Sequence, residues 1–99
     1  MLMSSKIREK DVITMKKISF DNKKNIIGFN LRAHRLRCRL SQDCLAAKMQ
    51  TLGVNMDQQM ISKIERNDRI VTDYEVACFC HILKINAEEL WKDFLEETS

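Results

Sequence analysis

The sequence predicts an all-α fold of five short helices in one small domain, and three observations predict it. Two glycines and no proline in 99 residues are too few turn residues for a hairpin-rich β fold. From residue 25 onward, apolar residues recur at three- and four-residue intervals instead of alternating. Asn, Ser, Asp or Thr stands at the head of each such segment, where a helix needs a side chain to accept from its first amides. We place a basic arm over residues 1–24 and the compact five-helix domain over residues 25–99.

Residues 1–24 are polar and basic and lack helical periodicity, which reads as a flexible arm. Val12, Ile18 and Phe20 leave a short strand open as the alternative. The first helix is expected to begin near Asn25, with Ile27, Leu31, His34 and Leu36 inward. Arg32, Arg35, Arg37 and Arg39 crowd its end, where cations suit the helix dipole. The second helix starts at Ser41 and stacks Leu45, Met49 and Leu52 on one side. Ala46 beside them lets a neighbouring helix approach. Gly53 supplies the stop, and Val54 and Met56 are expected to tuck inward.

Asp57 caps the third helix. At 100° per residue, Met60, Ile61 and Ile64 gather on one side and Gln58, Gln59, Ser62, Lys63 and Arg66 on the other. Asn67 suits the left-handed position that ends a helix. Thr72 with Glu75 forms a capping box for a fourth helix running through Leu83, with Val76, Phe79, Cys80 and Leu83 inward. Asn86 with Glu89 has the same spacing and is expected to open a fifth helix with the apolar stripe Leu90, Trp91, Phe94 and Leu95.

Composition excludes several function classes. Cys38, Cys44, Cys78 and Cys80 show neither a CxxC pair nor a zinc spacing, and read as reduced core thiols of a cytoplasmic protein. No metal or cofactor is expected. The chain has no membrane-length apolar run and no visible signal peptide. It carries no nucleophile–base pair or phosphate loop that would argue for an enzyme. The net charge of +3 is unevenly spread. Seven basic residues face three acidic ones over 1–25, and eight face four over 26–71, but only two face seven over 72–99. A basic front and an acidic back fit a polyanion partner on one side.

The segments IGFNLRAHRLR, LSQDCLAAKM, MISKIERNDR and the IL-KINAEEL close, in that order, resemble the Cro/CI-type helix-turn-helix family, also called XRE-like or lambda-repressor-like. The resemblance spans about seventy residues. It implies a lambda-repressor-like domain that regulates transcription by laying its third helix in the major groove of double-stranded DNA, as a repressor more than an activator. It implies base-edge contacts from Gln58, Gln59, Ser62 and Lys63, and backbone contacts from Gln42, Arg66 and Asn67. Gln42 would also brace the third helix, and Arg35 with Glu65 would form a partly buried ion pair.

Physical chemistry supports the same assignments. Glutamine can bond adenine through N6 and N7, and Lys63 can reach either guanine or a phosphate. Arg32, Arg37, Arg39 and Arg69 add sequence-blind attraction to phosphates. The stretch between the second helix's core and Asp57 is longer than the family's minimal form. It becomes normal if that helix runs to Leu52. Trp91 and Leu95 either complete the core or form the seam of a homodimer, which would set half-sites about 34–36 Å apart. The alternative function is a protein-interaction module, such as an antitoxin that neutralises a partner protein through the acidic 72–99 segment.

Overall fold

Side-chain caps decide where most of the helices begin. The computed structural model describes residues 22–98, and the helices among these residues are α1 (Gly28–Arg37), α2 (Gln42–Thr51), α3 (Gln58–Glu65), α4 (Asp73–Leu83) and α5 (Glu88–Thr98). No strand occurs among the described residues. Ser41 Oγ accepts from the Cys44 amide at 3.0 Å and opens α2. Asp57 Oδ1 accepts from the Met60 amide at 2.8 Å and opens α3. Thr72 and Glu75 close the reciprocal box at α4, at 3.3 and 3.1 Å. Each cap satisfies amides that have no partner inside the helix.

The helix ends follow the same logic. Gly53 takes a positive φ of 86° just after α2, as the sequence predicts. Asn67 takes 63° after α3, and Lys84 takes 60° after α4. Arg39 takes 60° in the turn between α1 and α2. A left-handed residue lets the chain fold back and satisfy the last helix carbonyls. Here the Leu40 amide donates to Arg35 O at 3.1 Å and the Asp68 amide to Lys63 O at 2.8 Å.

All five helices contribute to one core. Leu31 of α1, Leu45 and Met49 of α2, and Ile61 and Ile64 of α3 are fully buried. Phe79 of α4 and Leu90 of α5 close it from the other side. Each such side chain contributes roughly 1.5–3 kcal/mol relative to leaving it exposed. Val54 and Met56 do turn inward from the α2–α3 connection, and Gln50 Nε2 holds the Met56 carbonyl at 2.7 Å. Helix α2 runs to Thr51 with Leu52 as its C-cap, so the connection is short.

Several expectations need correction. Helix α1 starts at Gly28, not near Asn25. Asn25 still serves its amides, because Oδ1 accepts from Ile27 and Gly28, both at 3.0 Å. Leu36 is 49% exposed, since the buried stripe of α1 is Ile27, Leu31, His34 and Arg35, and Leu36 stands 140° away from Leu31. Leu52 is 42% exposed because Val54 and Met56, not Leu52, fill the space beside α2. Cys38 and Cys44 are exposed free thiols and not core residues. Cys78 and Cys80 are half-buried, and burial pushes the Cys80 thiol above its ordinary value. The expected Asn86–Glu89 box is replaced by a tight turn in which the Glu89 amide donates to Asn86 O at 3.0 Å. The Glu89 carboxylate instead lies 3.7 Å from both His34 Nε2 and Lys92 Nζ. Residues 1–21, with the expected arm and its strand alternative, lie outside the described residues, as does the side chain of Leu95.

The first turn of α1 sits directly on the end of α3. A Cβ on Gly28 would lie 2.6 Å from Ile64 O, 2.8 Å from Glu65 O and 2.7 Å from Asn67 Nδ2. Only glycine permits that approach. Asn25 fastens the same joint: its Nδ2 donates to Ile64 O at 3.0 Å and to Arg69 O at 2.8 Å. Asn67 Nδ2 donates back to Asn25 O and Oδ1, and the Lys24 amide donates to Asn67 O at 2.8 Å. Gly28→Ala is therefore expected to cost about 1–3 kcal/mol, read as a lower urea midpoint with an unchanged slope.

At the other joint of α1, His34 is buried against α5. Arg37 Nη1 lies 3.2 Å from His34 Nδ1. An arginine can only donate, so Nδ1 accepts and the ring proton sits on Nε2. Burial lowers the imidazole from its ordinary 6.5; Arg37 and Lys92 push the same way and Glu89 opposes them. The unfolded chain thus takes up this proton more readily than the folded one. Stability is fully present above pH 6.5 and falls as pH drops below it. Thermal melts between pH 7.5 and 5 are expected to show a decline that His34→Gln flattens; parallel curves would refute the assignment.

Candidate nucleic-acid interface

Helices α2 and α3 pack face to face through Leu45 and Met49 on one side and Ile61 and Ile64 on the other. Those contacts set the angle between them and turn the opposite side of α3 outward. Gln59, Lys63 and Arg66 are exposed there, and Gln58 and Ser62 are half-exposed. Met60, expected inward with Ile61 and Ile64, is half-buried at the edge of the core.

A chain of polar contacts runs along this pair of helices. Arg35 Nε and Nη2 donate to the two Glu65 carboxylate oxygens at 2.6 and 3.0 Å. Their side chains are only 7% and 4% exposed. Arg35 Nη1 also donates to the Leu40 carbonyl at 2.7 Å, which ties the α1–α2 turn to the pair. Gln42 Nε2 donates to Glu65 Oε1 at 3.0 Å, and Gln58 Nε2 donates to Gln42 Oε1 at 2.6 Å. A carboxylate only accepts, so Glu65 forces the Gln42 amide nitrogen toward itself. The Gln42 oxygen then faces Gln58, and Gln58 must turn its own nitrogen inward. Charge at one end of the chain orients two neutral amides beyond it.

The remaining candidate residues divide into those held and those left open. Gln59 and Lys63 have exposed side chains that no hydrogen bond fixes among the described residues. Ser62 Oγ accepts from Arg66 Nη1, one turn further along the same face. Asn67, expected at a phosphate, spends its carboxamide on Asn25. Arg69 is likewise engaged: its guanidinium meets both Glu75 oxygens at 3.1 and 3.3 Å and the Ile70 carbonyl at 3.0 Å. Arg32, Arg37 and Arg39 are exposed. Trp91 is half-buried against the core of its own chain, in a backbone conformation outside the helical region (φ −124°, ψ 19°).

Beside the open face lies a shallow cleft of about 550 Å³. Met60 and Ile70 give it apolar walls, and Lys24, Lys63 and Arg69 surround it with Asp68. Sequence reasoning passed over Lys24, assigned to the arm, and Asn25, read only as a cap. The hub at Asn25 depends on carbonyls 39 and 44 residues away, and no local pattern signals it.

No group of His, Cys, Asp and Glu suited to a metal ion occurs among the described residues, and no helix there is long and apolar enough to cross a membrane. Comparison of the chain with protein-family models, with curated proteins and with solved structures found no match.

The buried pair yields a direct test. Arg35→Met or Glu65→Met alone leaves a charge buried without its partner and is expected to cost about 3–5 kcal/mol. The double replacement is expected to cost far less than the sum. Additive losses in a double-mutant cycle would show that the two side chains do not act as a unit.

Proposed function

We propose that the protein is a sequence-specific double-stranded DNA-binding regulator of transcription, with α2 and α3 forming a lambda-repressor-like helix-turn-helix. In this reading α3 lies in the major groove, and the protein represses by occupying its site as a homodimer, with no chemistry of its own. The observation that carries it is the outward face of α3. Gln59 and Lys63 stand open on a short helix whose other side is clamped by Arg35, Glu65, Gln42 and the core. A rigid helix with unspent amide and ammonium donors is what reading base edges requires.

The contacts divide the work. Gln59 and Lys63 read bases. Gln58 has one amide hydrogen spent on Gln42, which leaves its oxygen and a second N–H for a base edge. Arg66 and Ser62 act as a bonded pair on the same face. Backbone attraction falls to Arg32, Arg37, Arg39 and Lys24, and less to Arg69 and Asn67, whose side chains already have partners. Binding that rests on such contacts falls steeply with salt.

A second reading, a module that binds and neutralises a basic partner protein, is favoured by Ile70 and Tyr74. They are 66% and 59% exposed beside the acidic start of α4. Co-purification with a basic partner, abolished by Tyr74→Ser, would support it.

Selection from random duplex DNA with the purified protein tests the first reading. An enriched motif is expected, and Gln59→Ala should weaken preference at one position by about 1–3 kcal/mol with an unchanged melting temperature. Gln42→Ala should lower both affinity and stability, because it breaks the chain that holds Gln58. Absence of any enriched motif, with Gln59→Ala and Lys63→Ala indistinguishable from wild type, would overturn it.

A further inference from the structure

Away from the outward face of α3, a second cleft opens between the entry of the chain and α5. Its volume is about 330 Å³, at the lower end of the range that takes a small molecule. Ile26, Ile27, Val71 and Val76 form an apolar floor, and Trp91 stands as one wall. Ile27 is buried, but the other four are only half-buried, so apolar surface stays wet in one place. Lys23 and Lys24, both exposed, rise at the rim.

We propose that this cleft binds an amphipathic carboxylate, a small molecule with an aromatic or branched hydrocarbon body and one anionic end. The body enters against Trp91 and the two valines, and the carboxylate meets Lys23 and Lys24. Charge selects this occupant. The apolar floor takes only hydrocarbon, and the two ammonium groups favour an anion beside it. The chain ahead of Asn22 carries more basic than acidic residues, so it is a poor match for the same rim.

The cleft is joined to α3 through covalent neighbours. Asn25, which also lines it, holds the Ile64 and Arg69 carbonyls, and the Lys24 amide holds Asn67 O. A ligand gripping Lys23 and Lys24 therefore pulls on the segment that fastens the end of α3. The site is thereby a point at which a small molecule reaches the proposed recognition helix without touching it.

Trp91 is the chain's single tryptophan, so the tryptophan signal comes from one wall of this cleft. Titration with 4-phenylbutanoate is expected to give a saturable change, with a Kd on the order of 1 mM for so small a ligand. 4-Phenylbutan-1-ol and 4-phenylbutylamine, which lack the anion, should bind more weakly. The Lys23→Ala/Lys24→Ala variant should lose the preference for the carboxylate, about two- to fivefold for exposed pairs. Val71→Phe, which fills the cleft, should abolish the change while circular dichroism stays native. Amide resonances of Lys24 and Asn67 should shift with the same saturation curve. None of these readouts involves DNA, so their failure is separable from failure of the proposed function. Equal response to the three probes, no saturable response, or a Trp91 signal that follows protein concentration without ligand would overturn the proposal. The last result would mean that a second copy of the chain covers the cleft.

Discussion

The buried pair of Arg35 and Glu65 is the contact on which the rest of the architecture depends. It reaches from the last turn of α1 to the last residue of α3 and, through Leu40 and Gln42, holds the chain where it enters α2. Removing two charges from water costs several kcal/mol per ion, and their mutual attraction roughly offsets that. The pair therefore adds little net stability. Its effect is geometric: a planar guanidinium and a planar carboxylate meet in few arrangements, and each fixes where its helix stands. Apolar packing alone would allow small slides between α1, α2 and α3.

A second fastening, of a different kind, acts at the same end of α3. Gly28 brings the α1 backbone against the carbonyls of Ile64 and Glu65, and the Asn25 carboxamide satisfies Ile64 while reaching on to Arg69. One fastening is ionic and the other is neutral amide chemistry with a missing side chain. Together they fix the C-terminal end of α3, whereas the N-terminal end is fixed by Asp57 and by Gln58 on Gln42. What remains open is the strip between, with Gln59 and Lys63 at its centre.

Much of this was legible locally. Ser41, Asp57 and Thr72 announce helix starts because a capping side chain acts within three residues of itself. Gly53 and Asn67 announce ends for the same reason. The core positions Leu45, Met49, Ile61 and Ile64 follow from periodicity. Leu36 and Leu52 did not, because periodicity tells which side of a helix is apolar and not how far the neighbouring helices reach. Asn25 and Gly28 were illegible in their real roles, since each answers to a backbone some 40 residues distant. In the candidate site, the outward placement of Gln59 and Lys63 was readable from the helical wheel. The engagement of Asn67 and Arg69 by Asn25 and Glu75 was not.

The shortness of α3 has a consequence for how the molecule breathes. Eight residues make about two turns, too few for a helix to persist by itself in water. Its amides are therefore kept from solvent exchange by the clamps at its two ends and by the core beneath. The outward face of α3 therefore exists only for as long as those clamps and that core hold the helix in place.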